Sequence, residues 1–157
     1  MEETLLHEEL IFLDYKADSR EELLKKLASE LQQRGYVKES YIKGVLDREK
    51  VFPTGLNTAG VKVALPHTDA IHVNKAAIVV AKLKNPVIFK EMGFGEKDVE
   101  AKLIIMMAVR KPEDQVKTLS KLMSILSDKE TLISLYNCKE KTEVITILNK
   151  VLYGDNK

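Results

Sequence analysis

The most hydrophobic stretch of the chain runs from Ala101 to Val109, and both of its faces are apolar. A strand of that kind has no face to offer water, so it belongs inside a sheet as a central strand. Its strongly apolar part, Leu103 to Val109, falls far short of a bilayer span. The rest of the chain must therefore supply neighbours for it. Leu10-Ile11-Phe12-Leu13 is a short apolar run that reads as a first strand, and Ala76 to Leu83, rich in Ile and Val, has the length of a buried one. Asn85-Pro86 marks a turn, after which Val87-Ile88-Phe89 reads as a short edge-like strand. Gly93-Phe94-Gly95 follows as a plain loop, too short for a dinucleotide fingerprint.

Helices fill the intervals. Asp18-Ser19 offers an N-cap with Glu21 and Glu22 placed to close a capping box, and Leu23, Leu24, Leu27 and Leu31 recur at helical spacing up to a stop at Gly35. A second helical pattern begins at Ser40, runs through Arg48-Glu49-Lys50 and ends before Pro53. Pro112 suits the first position of a third, with Glu113 and Asp114 complementing the dipole and Val116, Leu119, Leu122, Met123 and Leu126 forming an apolar stripe. Ser127 with Glu130 resembles a further capping box, and the last helix starts near Glu140 and buries Val144, Ile147, Leu148 and Val151. The order predicts one α/β domain over 1–157, a mixed sheet flanked by helices.

Charge narrows the function. The chain has 25 basic and 24 acidic residues, interspersed, for a net charge of +1. No basic block argues for nucleic acid or an anionic membrane. The acidic opening MEETLLHEEL has no hydrophobic signal core, so a cytoplasmic location is expected. The lone cysteine, Cys138, excludes an intrachain disulfide and a multi-cysteine metal site. Lying between two helical patterns, it reads as a small apolar residue.

The reactive candidate sits after Phe52-Pro53-Thr54-Gly55, where a short alternating run, Val61 to Leu65, is stopped by Pro66 and followed at once by His67. Proline ends ladder pairing and fixes the exit angle of the chain, and strand ends are where α/β proteins often keep reactive groups. A lone loop histidine is more often structural than reactive. Here a fixed backbone, small or polar neighbours and a second histidine, His72, shift that balance. Neutral imidazole is a competent nucleophile near pH 7. A zinc site using His67, His72 and Asp69 is the competitor, but the spacing is weak and no third ligand is evident. No Gly-x-Ser-x-Gly elbow supports a serine hydrolase. Of the other histidines, His7 lies in the polar N-terminus and reads as solvated. Arg48 favours phosphate chemistry, because a guanidinium holds a phosphoryl group by paired hydrogen bonds; its alternative is a solvated helix-end charge. Thr54 offers a hydroxyl, and the Gly55–Asn57 turn offers backbone N–H groups.

Arg48-Glu49, Phe52-Pro53-Thr54-Gly55 and Leu65-Pro66-His67, in that order and spacing, resemble the signature of the type-2 IIA components of the bacterial sugar phosphotransferase system, the fructose–mannitol family. The similarity covers nearly the whole chain and implies a layered α/β fold of the mannitol IIA type. It implies that His67 accepts a phosphoryl group from phosphohistidine on HPr and passes it to a cysteine of a IIB component. The membrane component IIC would be reached only indirectly, and no cofactor or metal is implied. Arg48 matches the family arginine near the histidine. Mannitol and fructose members carry a second histidine where this chain has Gln115, which can donate a hydrogen bond to phosphate but cannot titrate. That position, and the run Pro66 to His72, resemble the galactitol branch. His72 either partly replaces the missing histidine or simply packs or is solvated. A regulatory IIA module of the nitrogen type is the alternative function. Leu56, Leu65 and Ile71 are expected to rim the docking surface.

Overall fold

The computed structural model describes residues 4–93 and 95–154. Phe94, and with it the middle of the expected Gly93–Gly95 loop, lies outside them. The described elements are β1 (Leu6–Tyr15), α1 (Arg20–Gln33), α2 (Ser40–Val51), β2 (Gly55–Leu56), β3 (Val63–Ala64), β4 (Ala77–Lys90), β5 (Asp98–Ala108), α3 (Pro112–Leu126), α4 (Lys129–Asn137) and α5 (Lys141–Tyr153). A short 3₁₀ turn, Ala70–His72, lies between β3 and β4.

The strands form one mixed 5-stranded sheet in the order β1-β4-β5-β3-β2, which puts β5 at the centre. β1 runs parallel to β4, β4 antiparallel to β5, β5 parallel to β3, and β3 antiparallel to β2. Alternate residues of the central strands enter two separate cores. Val79, Ala81, Ile104 and Met106 pack with Leu23, Leu27 and Leu31 of α1 and Val45 of α2. Ile78, Val80, Leu103, Ile105 and Met107 pack with Leu122, Leu132 and Leu148 of α3, α4 and α5. From Leu103 on both faces of β5 are covered, which is why that part shows no polar alternation, whereas Asp98, Glu100 and Lys102 before it are exposed.

The cap of α1 is the one expected from the sequence. Ser19 Oγ accepts from Glu22 N at 3.1 Å, and Glu22 Oε1 accepts from Asp18 N at 2.6 Å. Glu140 and Glu143 form a reciprocal capping box at the start of α5. At α4 the cap is Asp128, not Ser127: Asp128 accepts from Thr131 N, while the Ser127 hydroxyl turns back to the Ser124 carbonyl.

Three other expectations are corrected. Asn85-Pro86 is not a turn, because β4 continues through it to Lys90 with a register shift between Lys82 and Val87. A proline is tolerated in a strand where the ladder is already broken by such an irregularity. Leu65 is 0% exposed and belongs to the core beneath α3–α5, so it does not rim a docking surface. His7 is half-buried in β1 with its ring 5.1 Å from that of Tyr36, and its Nε2 is sealed from water without a partner.

Candidate active site

The site is built where β3 leaves the sheet. The Leu65 N–H still donates to the Thr54 carbonyl at 3.3 Å, and the Pro66 carbonyl accepts from Met107 N at 3.0 Å. Pro66 has no N–H to continue the pairing, so the chain departs at His67, level with the end of β5. From there residues 67–72 lie along one face of α2. Ser40, Gly44 and Arg48 share that face, four residues apart. Ser40 Oγ is 2.8 Å from His72 Nδ1. Gly44 provides the clearance: a Cβ there would stand 3.0 Å from Thr68 Oγ1 and 3.2 Å from His72 Nε2. Arg48, at the far end of the face, is close enough to His67 to act on its proton affinity.

His67 is only 6% exposed, so its ring is set into the protein rather than standing free on the surface. Nδ1 lies 2.7 Å from the Leu65 carbonyl oxygen. A carbonyl only accepts, so Nδ1 carries the proton and Nε2 keeps the lone pair. Nε2 makes no hydrogen bond among the described residues, and it is not sealed from solvent, so it opens outward. Burial holds the His67 pKa below its ordinary value, and the Arg48 cation pushes it the same way; the Leu65 carbonyl and Asp69 oppose them. The ring is therefore kept neutral and nucleophilic.

Arg48 complements it. Its guanidinium carbon lies 5.0 Å from the centre of the Phe52 ring, and its Nε is buried with no hydrogen-bond partner. No ion pair among the described residues takes it. An unpaired buried guanidinium N–H is costly unless an acceptor comes to it. A tetrahedral anion on His67 would bring one.

The turn before β3 is arranged differently from the sequence expectation. Thr54 N donates to Glu49 Oε2 and Thr54 Oγ1 to Glu49 Oε1, each at 2.8 Å. Asn57 Nδ2 donates to Glu91 Oε2 at 3.1 Å. Gly55 lies in β2, so close to β4 that a Cβ would fall 2.7 Å from the Lys90 carbonyl oxygen. These donors are spent on folding the turn, so Thr54 is arranged as a clasp on α2 and not as an open phosphate donor. Burial lifts the Glu49 carboxyl to about 7, against the opposing pull of both Thr54 hydrogen bonds and of Arg20 and Arg48.

Gln115 is half-buried in the first turns of α3, with no hydrogen bond joining its amide to His67. His72 is held on α2 by Ser40, which is about 12 Å along the helix axis from Arg48. Among the described residues no group of three or more His, Cys, Asp and Glu gathers as a metal site. Ile71 is 72% exposed and Leu56 half-buried. Phe52 is largely exposed apolar surface that the sequence reading missed, and Val116, expected in the apolar stripe of α3, is 70% exposed instead. So is Thr68, a buried hydroxyl next to His67, whose only sequence signal was adjacency.

Residues 4–151 match the family described as the phosphoenolpyruvate-dependent sugar phosphotransferase system, EIIA 2. The chain belongs to this EIIA type 2 family. Among curated relatives of this EIIA type 2 chain, the galactitol-specific EIIA component of Escherichia coli (strain K12) is 33% identical over 119 residues, 74% of this chain and 79% of the relative. The transcriptional regulator ManR of Bacillus subtilis (strain 168) is 33% identical over 146 residues, 92% of this chain but only 20% of the regulator. Among solved structures, the crystal structure of IIA mannitol from Escherichia coli superposes with a TM-score of 0.75 at 30% identity, covering 92% of this chain and 99% of that one. The complex of IIA mannitol with phosphorylated IIB mannitol from the same organism gives 0.73 at 28% identity, covering 92% and 98%. The layered α/β arrangement of this EIIA domain is thus that of the mannitol IIA structures. No helix among its described residues is long and apolar enough to cross a membrane.

Proposed function

We propose that this single EIIA domain, residues 1–157, is a cytoplasmic phosphohistidine carrier that serves uptake of a hexitol-like sugar of the galactitol type. His67 Nε2 attacks the phosphorus of phosphohistidine on HPr; the new N–P bond forms as the bond to the HPr imidazole breaks. Nδ1 keeps its proton, and its bond to the Leu65 carbonyl strengthens as the ring takes on positive charge. A cysteine thiolate of the IIB component then displaces the His67 nitrogen from phosphorus. The protein positions the ring and supplies charge to the phosphoryl oxygens, the usual division of labour in phosphoryl transfer. Arg48 and the amide of Gln115 are the proposed phosphate-binding groups, and His72 supports the 67–72 segment from α2. Thr54 contributes through the Glu49 clasp. Phe52, Ile71 and Val116 form the apolar rim that HPr and IIB share in turn, and IIC is reached only through IIB. No cofactor, metal or nucleic acid enters the reaction.

The observation that carries this reading is the pairing of an outward Nε2, its partner nitrogen tied to a carbonyl, with a buried Arg48 Nε that has no acceptor. Galactitol is favoured by the 79% coverage of the galactitol-specific relative and by Gln115 in place of a second histidine. Incubation with phosphoenolpyruvate, enzyme I and HPr should load one acid-labile phosphate per chain, and His67→Ala should load none while keeping its circular dichroism. Normal loading of that variant would sink the assignment.

The ManR relative supports a second reading, a regulatory module that signals through its phosphorylation state. Transfer from the loaded protein to a galactitol-type IIB separates the two: rapid transfer favours uptake, and its absence favours signalling.

A further inference from the structure

A cavity of about 370 Å³ opens between α3, α5 and the starts of β1 and β4, at the same end of the sheet as His67 but away from α2. Among the described residues its charge is lopsided: Lys111, Lys117 and Lys121 line it with Asp114 as the one carboxylate. Lys121 Nζ also donates to the Leu152 carbonyl at 2.7 Å, which uses a hydrogen but leaves the charge. Lys111 and Lys117 have no ion pair among the described residues. Thr118 lies on the cavity wall and is 6% exposed, and its hydroxyl makes no hydrogen bond among the described residues. Its hydroxyl is not among the partnerless atoms sealed from solvent, so the cavity is the direction in which it is open. A buried hydroxyl without a partner calls for an explanation. The start of α3 does not provide it, since the N–H groups of Asp114 and Gln115 are already donated to the Lys111 carbonyl.

We propose that this cavity is a binding site for a small organic phosphate, distinct from the His67 centre. Ammonium groups act as point charges converging on a multiply charged tetrahedral anion, and the Thr118 hydroxyl supplies a fixed donor beside them. Leu5, Val109 and Leu152 give the carbon skeleton an apolar wall. The volume lies in the lower part of the roughly 300–1,000 Å³ span of small-molecule pockets, which suits a monosaccharide phosphate.

The test is a titration of the isotope-labelled full chain with glucose 6-phosphate, glucose and inorganic phosphate, followed by amide chemical shifts. Glucose 6-phosphate should give saturable shifts at Lys111, Lys117, Thr118, Lys121 and 152–153, glucose none, and inorganic phosphate the same set at roughly tenfold weaker affinity. Thr118→Val and Lys117→Gln, each with an otherwise unchanged spectrum, should weaken binding about tenfold. The proposal is overturned by no saturation in the millimolar range, by saturation that neither variant weakens, or by shifts centred on His67 and Arg48. Equal affinity for inorganic phosphate overturns the organic class.

Discussion

Replacing Glu49 by glutamine tests the electrostatics of the site without touching the nucleophile. The Glu49 side chain is 5% exposed and takes two hydrogen bonds from Thr54, yet burial outweighs them and lifts the carboxyl from 4.5 to about 7. The folded state therefore holds a proton that the unfolded chain has released between those two values. Where the folded state binds more protons, stability falls as pH rises. The interval corresponds to about 3 kcal/mol, fully present below pH 4.5 and lost by the time pH has passed about 7. Glutamine imitates the protonated acid: its carbonyl accepts from Thr54 N, and its NH₂ donates to the Thr54 hydroxyl oxygen. Glu49→Gln should thus match the parent within about 1 kcal/mol at pH 5 and exceed it by about 2–3 kcal/mol at pH 8. Urea unfolding at a series of pH values, with equal slopes in the two proteins, reads this directly. His67 titrates in both proteins and cancels in the difference. A difference that stays constant across pH, or a variant less stable at pH 8, would show that the Thr54 donors fully solvate the carboxylate and that burial does not decide its charge.

Three further outcomes follow from the same geometry. Arg48→Ala should slow phosphorylation by phospho-HPr about 10- to 100-fold, the worth of a charge-assisted hydrogen bond, and Gln115→Ala by less; single-turnover rates measure both, and unchanged rates would remove them from the phosphate site. Because the His67 pKa is held below its ordinary value, the transfer rate should stay level as pH falls through about 6.5 and decline only below it. Linkage has the same sign: stability contributed by the neutral ring is present above the unfolded value and is lost as pH falls below it, a slope that His67→Gln should lack in acid titrations followed by circular dichroism. Gly44→Ala should gain helix propensity of up to about 1 kcal/mol but push Thr68 and His72 off α2, so that transfer slows while the melting temperature barely moves.

The parts of the fold that could be read in the sequence are those with local causes. Ser19 and Glu22 lie within one turn of each other, and β5 announces its central place by the apolar run from Leu103 on, which has no polar face. Pro86 misled because its tolerance depends on where the β4–β5 ladder slips, which is a property of two strands. Leu65 was misplaced although alternation already set it with Val61 and Val63, which share its core. At the candidate site, His67 was reached from the strand end at Pro66 and Arg48 from its place on the second helix, and the motif resemblance then added to both. The roles of Glu49, Phe52 and Thr68 depend on how α2 meets the chain leaving β3, a tertiary contact without local periodicity.

The depth of His67 in the protein bears on how a carrier can serve two partners. A fully exposed imidazole would take a proton readily near neutral pH and would leave its phosphoryl group open to water. Here the Leu65 carbonyl fixes one nitrogen, burial discourages protonation, and the other nitrogen faces out. Arg48 repels a proton from the free ring, and on the proposed reading the same charge attracts the phosphoryl oxygens once they arrive. The two effects need the same position and opposite occupancy, so a guanidinium with an unfilled N–H serves both states. It follows that substituting Arg48 by a neutral residue should raise the His67 pKa even as it slows transfer. Imidazole proton titration by NMR would detect that rise, and an unmoved titration would mean that Arg48 lies too far away to govern the ring.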